Sequence, residues 1–456
     1  MTSEKRIRIF FQIKKILAPF FDSCILLLSY LTAFVFRLNF NEPIWGWRAT
    51  ALSFLVVLVV YLLSLSLFGC YRTPLQRISV LDIPRFIGAG AVSSVVLLIL
   101  RLTMTNMESA TFRFSYSIIL MTTFFALVGF ICVRLIFRVY YHAHMKATSL
   151  ISRDEISFDQ TKAARFFAGK CVLVTGAGGS IGSEICRQVA TLGAQKILLV
   201  ERCERALYEI DRQLRGLGYG ERIHAYMIDI NEEDRMRALF EAEKVQIVLH
   251  AAAYKHVPMV EVNPEEGWRN NVQATEVLSK LAAEFDVQRF VLISTDKAVN
   301  PVSVMGKTKA AAEKVILSFN KSGDSRFCAV RFGNVFGSSG SVVPLFEEKI
   351  RCRLPLTVTH PDMKRYFMTV KEAVSLVLQA ASRSEGAIYT LDMGQPISIL
   401  ELAENMIRQA GYCPYTEIPI IFTGIRPGEK LFEELDISEK SAFRTDMAKI
   451  YITKSS

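Results

Sequence analysis

The sequence lacks several patterns that identify common classes of protein. Its nine cysteines form no CxxC pair and show no metal-ligand spacing, which argues against a zinc site or a dithiol redox centre. It contains no internal repeat and no low-complexity tract, which argues against a repeat architecture. We therefore expect reduced cysteines that serve as packing residues, and no bound metal.

Polar residues are scarce in the first third of the chain, where much of the 51% hydrophobic content is concentrated. Asp22 and Arg101 are single charges within long apolar runs, and they cost least near helix ends or facing another helix. Several long runs exclude a cleaved signal peptide and predict a transmembrane region over residues 1–140, with a buried helical bundle as the alternative. The four predicted spans are about Ile16–Phe36, Ala49–Phe68, Phe86–Met104 and Ser115–Phe137.

Positive charge is distributed unevenly around these four spans. It clusters before the first span, between the second and third, and around the end of the fourth, at Lys5, Arg6, Arg8, Lys14, Lys15, Arg72, Arg77, Arg85, Arg134, Arg138 and Lys146. The positive-inside rule then predicts a multi-pass protein of a bacterial-type inner membrane, with both termini and the following domain cytoplasmic. We attribute the net charge of +10 to contact with anionic lipid headgroups rather than nucleic acid.

The rest of the chain alternates between strand-like and helix-like segments. Residues 141–169 are polar and predict a linker, and residues 170–456 predict one catalytic domain. The alternation is typical of an α/β Rossmann-type doubly wound parallel sheet. The predicted strands are Cys171–Thr175, Lys196–Val200, His224–Ile228, Gln246–His250, Arg289–Ile293 and Cys328–Phe332.

A glycine-rich segment, TGAGGSIGSE, follows the first predicted strand and opens a helix. Gly176, Gly179 and Gly182 fit a tight turn with positive φ, a close backbone approach to a pyrophosphate, and close helix packing. Nineteen residues after Gly182, Glu201 ends the second strand, where an acid can bind the adenosine ribose. This context predicts dinucleotide binding, with a purely structural glycine turn as the alternative.

The identity of the dinucleotide is left open by the residues around this turn. Glu201 favours NAD, whereas Arg202 beside it leaves NADP open. Asp229, at the end of the third strand, could contact adenine or cap a helix over Asn231–Phe240. Further positions assigned to the same site are Ser180, Ile181, Ile230, Ala251 and Ala252.

The segment STDKAVNPVSVMGKTK carries the acid–base groups. Thr295, Asp296 and Lys297 follow the fifth predicted strand and should lie at its carboxyl end, where open α/β sheets bind ligands. Lys309 comes four residues after Met305, on the same face of a predicted helix. A solvated surface pair is the alternative interpretation of Asp296 and Lys297.

These motifs together resemble those of the extended short-chain dehydrogenase/reductases. The resemblance is carried by the glycine turn and by AAAYKHVPMVEVNP, STDKAVNPVSVMGKTK, RFGNVFGSSGSVVPLF, HPDMKRYFMTVKEAV and TGIRPGEKLFEEL. Within that superfamily the chain looks like the polysaccharide-biosynthesis UDP-N-acetylglucosamine 4,6-dehydratases, particularly their membrane-bound branch. The resemblance implies a four-helix transmembrane region, a Rossmann-type sheet and a small C-terminal substrate-binding part.

The resemblance also implies a reaction and residue roles. UDP-GlcNAc would lose water to give a 4-keto-6-deoxy sugar nucleotide, with NAD or NADP tightly bound and regenerated in each turnover. Asp296 would be the acid for the C6 hydroxyl and Lys297 the base at C5, while Thr295 would bind the C4 hydroxyl and Lys309 the nicotinamide ribose. Lys297 must be neutral to act, so we expect burial or Lys309 to lower its pKa.

Met305 departs from the general superfamily, which carries tyrosine at this position. A thioether cannot take the C4 hydroxyl proton, so the chain is either inactive or uses Asp296, Thr295 or a water. The membrane-bound branch carries methionine here, which favours an active enzyme and implies retention at C5. Tyr254 is a candidate substitute for the tyrosine, although a packing or substrate-wall role fits it better.

Substrate contacts are assigned to polar residues of the later motifs. Lys255 and His256 could face the sugar or the diphosphate, and a structural hydrogen-bonding role for His256 is equally compatible. The resemblance places Arg331, Asn334 and Ser341 around the nucleotide sugar, and Arg426 can clamp a diphosphate in bidentate fashion. The remaining alternatives are a UDP-sugar 4-epimerase and a non-catalytic membrane scaffold, and a homo-oligomer is compatible with each.

Overall fold

Four long helices form the N-terminal part of the computed structural model, which describes residues 3–38, 47–71, 82–104, 115–144, 160–320, 326–383, 388–435, 442–445 and 449–453. They are α1 (Ser3–Leu38), α2 (Trp47–Leu67), α3 (Ile83–Met104) and α4 (Tyr116–His144). Each contains 18 to 21 residues apolar enough to cross a membrane, which confirms the four predicted helices. Only 28 to 33% of each stretch is buried, which favours lipid over a buried bundle.

The charges within these helices have specific partners. Asp22 on α1 accepts two hydrogen bonds of 2.7 Å from the guanidinium of Arg134 on α4, and both side chains are buried. Asp22 therefore faces another helix, one of the two placements expected for it, and Arg134, counted among the charges that set the orientation, is buried within α4. The guanidinium of Arg101 lies 3.7 Å from the centre of the Tyr116 ring.

The second compact unit is built on a nine-stranded sheet within the described residues. Its order is β14-β15-β11-β6-β5-β4-β1-β2-β3. β15 pairs antiparallel with both of its neighbours, β14 and β11, and all other neighbouring strands pair in parallel. These strands are β1 (Cys171–Thr175), β2 (Lys196–Val200), β3 (Ile223–Tyr226), β4 (Ile247–His250), β5 (Arg289–Ile293), β6 (Phe327–Arg331), β11 (Ile388–Leu391), β14 (Ala442–Arg444) and β15 (Ile450–Thr453).

Short strands in the C-terminal half form three two-stranded pairs, β7 with β10, β8 with β13 and β9 with β12. They are β7 (Asn334–Val335), β8 (Leu356–Val358), β9 (Lys364–Arg365), β10 (Phe367–Met368), β12 (Ile397–Ser398) and β13 (Ile420–Phe422). The helices of this unit are α5 (Gln160–Phe167), α6 (Ser180–Thr191), α7 (Glu204–Leu214), α8 (Glu233–Glu243), α9 (Val257–Val262), α10 (Pro264–Trp268), α11 (Ala274–Glu284), α12 (Val304–Ser318), α13 (Val342–Arg351), α14 (Val370–Ala381) and α15 (Ile399–Gln409).

The large sheet is covered on both faces, as the apolar strands require. Val172 and Val174 of β1 pack into one core with α5, α6 and α14, while Leu173 packs into the other with α8, α11 and α12. The order reverses between β1 and β4, and doubly wound folds bind ligands at such a point. The predicted fold class is confirmed.

Two expectations from the sequence need correction. The predicted linker contains α5, whose Ala163 and Phe167 are fully buried in the first core because they form an apolar face among polar residues. The cysteines are all free, and Cys186 and Cys328 are among those buried, but others are not packing residues. The exposed ones are Cys24, Cys132, Cys203 and Cys352.

Candidate active site

The glycine-rich segment forms a tight turn between β1 and α6. Gly176 has φ +63°, and a Cβ there would lie 2.8 Å from the Cα of Ala252. A Cβ on Gly182 would lie 2.0 Å from the carbonyl oxygen of Gly176, so α6 can pack this closely only without a side chain. The helix begins at Ser180 with no side-chain cap from Gly179, which leaves its first amide groups able to bind a pyrophosphate.

Acidic side chains follow the ends of β2 and β3 beside this turn. Glu201 accepts hydrogen bonds from the amide groups of Gly178 (3.2 Å) and Cys203 (3.1 Å), which holds its carboxylate next to the glycine turn. Arg202 is turned toward Asp229, with a nitrogen–oxygen distance of 3.9 Å. The arrangement fits a dinucleotide whose adenosine lies over this edge of the sheet.

Of the two roles left open for Asp229, a contact with adenine or a helix cap, the structure contradicts the cap. The carboxylate of Asp229 accepts hydrogen bonds of 3.0 Å from the backbone and side-chain nitrogens of Asn231, while α8 begins only at Glu233. Ile230 packs into the second core, so its side chain faces the protein interior instead of the cavity described below.

A cavity of about 640 Å³ lies at the carboxyl ends of the central strands, a size typical of small-ligand sites. It brings together fourteen of the predicted site residues: Gly179, Ser180, Ile181, Gly182, Ala251, Lys255, His256, Thr295, Lys297, Met305, Lys309, Asn334, Ser341 and Arg426. The predicted residues outside its lining are Gly176, Glu201, Arg202, Asp229, Ile230, Ala252, Asp296 and Arg331.

Thr295, Asp296 and Lys297 form a hydrogen-bonded cluster immediately after β5. Residues 296–298 make one turn of 3₁₀ helix, which aims all three side chains at a common point. Oδ1 of Asp296 accepts from the hydroxyl of Thr295 (2.9 Å) and from Nζ of Lys297 (3.0 Å). The side chain of Asp296 is 1% exposed, so the surface-pair interpretation is wrong.

One oxygen of this cluster is left without a protein partner. Oδ2 of Asp296 is buried and has no hydrogen-bond partner among the residues that the structure describes. A Cβ on Gly333, which lines the cavity, would lie 2.8 Å from this oxygen. Buried carboxylate oxygens are normally hydrogen-bonded, so Oδ2 is available to a ligand hydroxyl or to a proton.

The charge states of the two lysines differ from the expectation. Burial would lower the pKa of Lys297, but the carboxylates of Asp296 and Glu433 outweigh it and raise this pKa above its usual value. Burial instead lowers the pKa of Lys309 to about 8, with Glu313 partly opposing the shift. The predicted lowering at Lys297 is therefore wrong, because the carboxylates of Asp296 and Glu433 together outweigh burial.

Helix α12 places Met305 and Lys309 one turn apart on the cavity wall. Nζ of Lys309 donates a 2.6 Å hydrogen bond to the carbonyl oxygen of Ile293, which ties the helix to the end of β5. A Cβ on Gly306 would lie 2.4 Å from the carbonyl oxygen of Lys297, so the helix packs directly against the turn formed by residues 296–298.

The position usually held by tyrosine is apolar here. Met305 is 3% exposed and clusters with Val257 and Val260. The hydroxyl of Tyr254 donates to Glu266 over 3.3 Å, and its ring lies against this cluster. Tyr254 therefore contributes to the wall, and its hydroxyl is committed to another group.

Cationic groups lie on the α13 side of the cavity. Nζ of Lys255 donates to the hydroxyl of Ser338 over 3.2 Å, and burial lowers the pKa of Lys255. Burial, together with the charge of Lys255, also lowers the pKa of His256. The buried hydroxyl oxygen of Ser341, at the start of α13, has no partner within the described part of the chain. These groups can bind an anion.

Arg331 is turned away from this site. Its guanidinium donates to both carboxylate oxygens of Glu313, at 2.9 and 2.7 Å, and Ser294 donates to the same carboxylate at 2.5 Å. The predicted contact between Arg331 and a substrate is therefore not supported. Arg426 is exposed at the cavity, where it can reach a ligand.

Four charged residues that line the cavity were not assigned to the site from the sequence: Arg365, Glu429, Lys430 and Glu433. Glu433 and Arg365 both line it, and their side chains are 4% and 10% exposed. Both belong to motifs already recognised, HPDMKRYFMTVKEAV and TGIRPGEKLFEEL, and the second motif contains three glutamates, one of which is Glu433.

The sequence is similar to known proteins of one family. The sequence model of the family described as polysaccharide biosynthesis protein matches residues 172–455. The chain belongs to this family. It is 48% identical over 295 residues to the capsular polysaccharide biosynthesis protein CapD of Staphylococcus aureus, covering 64% of this chain and 49% of CapD. The chain thus spans about half the length of that relative.

More distant members of the superfamily match most of their own length. A UDP-N-acetylglucosamine 4,6-dehydratase (inverting) of Campylobacter jejuni is 31% identical, with 62% of this chain and 83% of the relative covered. A UDP-glucose 4-epimerase of Rickettsia rickettsii is 32% identical with the same shares covered. Pen from Bacillus thuringiensis, a solved structure, is 33% identical with a TM-score of 0.58, over 64% of this chain and 88% of Pen. The recognition of the family from its motifs is confirmed.

Proposed function

We propose that the protein catalyses the NAD(P)-dependent 4,6-dehydration of a UDP-N-acetyl-hexosamine, converting UDP-GlcNAc to its 4-keto-6-deoxy product for surface polysaccharide biosynthesis. The observation that carries the proposal is the buried, hydrogen-bonded cluster of Thr295, Asp296 and Lys297. Thr295 and Lys297 line the same cavity as Gly179 and Gly182 of the glycine turn. Dehydration needs an acid and a base side by side, and this cluster supplies both.

The cofactor would be held by the glycine turn, Glu201 and Lys309. Gly179 and the first turn of α6 can bind the pyrophosphate, the carboxylate of Glu201 can reach the adenosine ribose, and the ammonium of Lys309 can reach the nicotinamide ribose. When bound, the nicotinamide supplies reversible oxidation at C4, which makes the reaction redox-neutral. The position of Glu201 favours NAD over NADP.

Thr295 and Asp296 offer a path for the C4 hydroxyl proton in the absence of a tyrosine. The hydroxyl of Thr295 lines the cavity and already donates to Asp296, so it can take the C4 proton while it passes its own to the carboxylate. Asp296 is then protonated and can donate to the departing C6 hydroxyl. The same carboxylate thus acts first as acceptor and then as acid.

Lys297 is the proposed base at C5. Its Nζ lies 3.0 Å from Oδ1 of Asp296, so the two groups can act on adjacent carbons of one sugar. A single lysine that removes and returns the C5 proton works on one face of the ring, which gives retention. Lys255 and Arg426 would bind the UDP diphosphate, with Asn334 and Ser341 near the sugar.

The four apolar helices would anchor this activity to a membrane, with the catalytic unit and both termini cytoplasmic and anionic lipids around the basic loops. This orientation places the enzyme where nucleotide sugars are made. A homo-oligomer is compatible with this arrangement.

A UDP-sugar 4-epimerase is the second candidate function. The similarity to a Rickettsia epimerase favours it, but epimerisation needs no acid for a C6 hydroxyl and commonly uses the tyrosine that Met305 replaces here. A membrane scaffold without turnover is the third candidate, and it leaves the buried acid and base without a use.

One incubation separates the three candidates. Purified full-length protein is incubated with UDP-GlcNAc, and the product is followed by mass spectrometry and NMR. Loss of the mass of one water is the expected result. An isomer of unchanged mass would indicate the epimerase, and unchanged UDP-GlcNAc would indicate the scaffold.

Replacement of Met305 by leucine should retain substantial turnover. The substitution preserves volume within the cluster formed with Val257 and Val260, and such exchanges usually cost less than about 1.5 kcal/mol. The side chain has no proton to exchange, so the C4 proton path through Thr295 is unchanged. The rate of water loss is the measurement, and a fall to background would show that the sulfur has a chemical role.

A further inference from the structure

Glu433 is a buried carboxylate in direct contact with the proposed base. It lies on the segment after β13, its side chain is 4% exposed, and Oε1 is 3.4 Å from Nζ of Lys297. Oε1 is also 3.7 Å from Nε of Arg365. A carboxylate is rarely buried without a cation, and Glu433 meets two of them.

The position of this carboxylate is fixed by the backbone around it. Arg365 on β9 donates to the carbonyl oxygens of Lys430 (2.7 Å) and Leu431 (3.0 Å), which holds the segment carrying Glu433 against the cavity. These two hydrogen bonds from Arg365 therefore help to hold Glu433 at its distance from Lys297.

Among the residues that the structure describes, the groups around Lys297 leave one acceptor for its proton. Besides Glu433, its Nζ contacts Oδ1 of Asp296 at 3.0 Å and the side-chain oxygen of Asn334 at 3.3 Å. The amide of Asn334 is a poor proton acceptor, and Arg365 is only a donor. Asp296 is occupied by the C4 proton in the proposed reaction, so Glu433 is the remaining carboxylate.

An ammonium between two carboxylates cannot remove a proton from C5. The raised pKa of Lys297 means that the lysine is protonated at rest. In a site closed by substrate, transfer of a proton from an ammonium to a carboxylate replaces two buried charges with two neutral groups, which low polarity favours. This transfer needs no group from outside the protein.

We propose that Glu433 is a positioning residue that takes a proton from Nζ of Lys297 and thereby produces the neutral amine that acts at C5. The proposal rests on the proposed dehydratase function. The N–H bond of Lys297 breaks as the O–H bond of Glu433 forms; the amine then takes the C5 proton and returns it when C6 is reduced. Glu433 finally returns its proton to Lys297, so the protein regains its starting state.

Exchange of the C5 hydrogen tests this step separately from water loss. The 4-keto-6-deoxy product has an acidic hydrogen at C5, so the full-length enzyme should catalyse its replacement by deuterium in D2O, followed by NMR. In Glu433→Gln, we expect exchange at neutral pH to fall about 10²-fold, the scale of one acid–base group. The deficit should shrink as the pH rises, because solvent can then remove the proton of Lys297.

Glu434→Gln is the matched control, since its carboxylate is adjacent in sequence but 57% exposed and 3.6 Å from Lys430. It should exchange at the wild-type rate. Glu433→Asp keeps the carboxylate and should exchange faster than Glu433→Gln, whereas a purely structural role would make both equally slow at every pH.

Three results would overturn the inference in distinguishable ways. Wild-type exchange in Glu433→Gln, or faster exchange, would mean that Glu433 merely stabilises the charged lysine. A deficit independent of pH would mean a structural role. If the wild-type protein removes no water from UDP-GlcNAc, the proposed function fails, and the inference fails with it.

Discussion

Replacement of Lys297 by alanine, or of Asp296 by asparagine, is expected to abolish water loss from UDP-GlcNAc while the dinucleotide stays bound. Alanine removes the only proposed base at C5, and asparagine cannot carry the proton needed by the departing C6 hydroxyl. Each loss should lower the rate by at least about 10²-fold, since general acid–base groups contribute 10²- to 10⁴-fold.

Cofactor retention distinguishes lost chemistry from lost structure. The glycine turn and Glu201 lie outside the hydrogen-bonded cluster, so dinucleotide content after purification should match the wild-type protein. The matched controls are Lys307→Ala, an exposed lysine on α12, and Asp286→Asn, whose carboxylate is 88% exposed. Full activity in both cluster variants would remove Asp296 and Lys297 as acid and base.

The strands that carry the site were predictable because they are short apolar runs bounded by polar residues. β1, β2 and β5 begin and end where the sequence predicted, and Thr295 and Lys297, which follow β5, line the cavity. The edge strand β3 ends earlier than predicted, at Tyr226, where the alternation of apolar residues is weak. Local pattern is informative when a strand is buried on both faces.

The charge environment was not predictable, because it depends on residues distant in sequence. Glu433 and Arg365 approach Lys297 only through the short C-terminal strands. Burial lowers the pKa of Lys297, but Asp296 and Glu433 raise it above its usual value, while Arg365 opposes them. Arg331 was assigned to the substrate from its motif alone, yet Glu313 on α12 holds it. Motifs identified the cavity, whereas long-range ion pairs determine what each group in it can do.

The largest expected effect on stability concerns the buried ion pair of the membrane helices. Asp22→Asn should lower the free energy of unfolding by about 3 to 5 kcal/mol, because it leaves the guanidinium of Arg134 buried without a countercharge. The pair links α1 to α4 through two hydrogen bonds of 2.7 Å, and the guanidinium also lies 4.4 Å from the centre of the Phe86 ring. Unfolding in detergent by heat or denaturant is the measurement.

A second variant tests whether the charges of Asp22 and Arg134 are required, or only well-packed side chains at these two positions. Asp22→Leu combined with Arg134→Leu removes both charges and should recover most of the stability lost in Asp22→Asn, since an apolar pair often replaces a buried ion pair at little cost. Asp82→Asn, in a pair where Arg85 is 49% exposed, is the control and should change stability by less than about 1 kcal/mol. If the double variant is as unstable as Asp22→Asn, apolar packing cannot replace the ion pair, and the contact between α1 and α4 requires both charges.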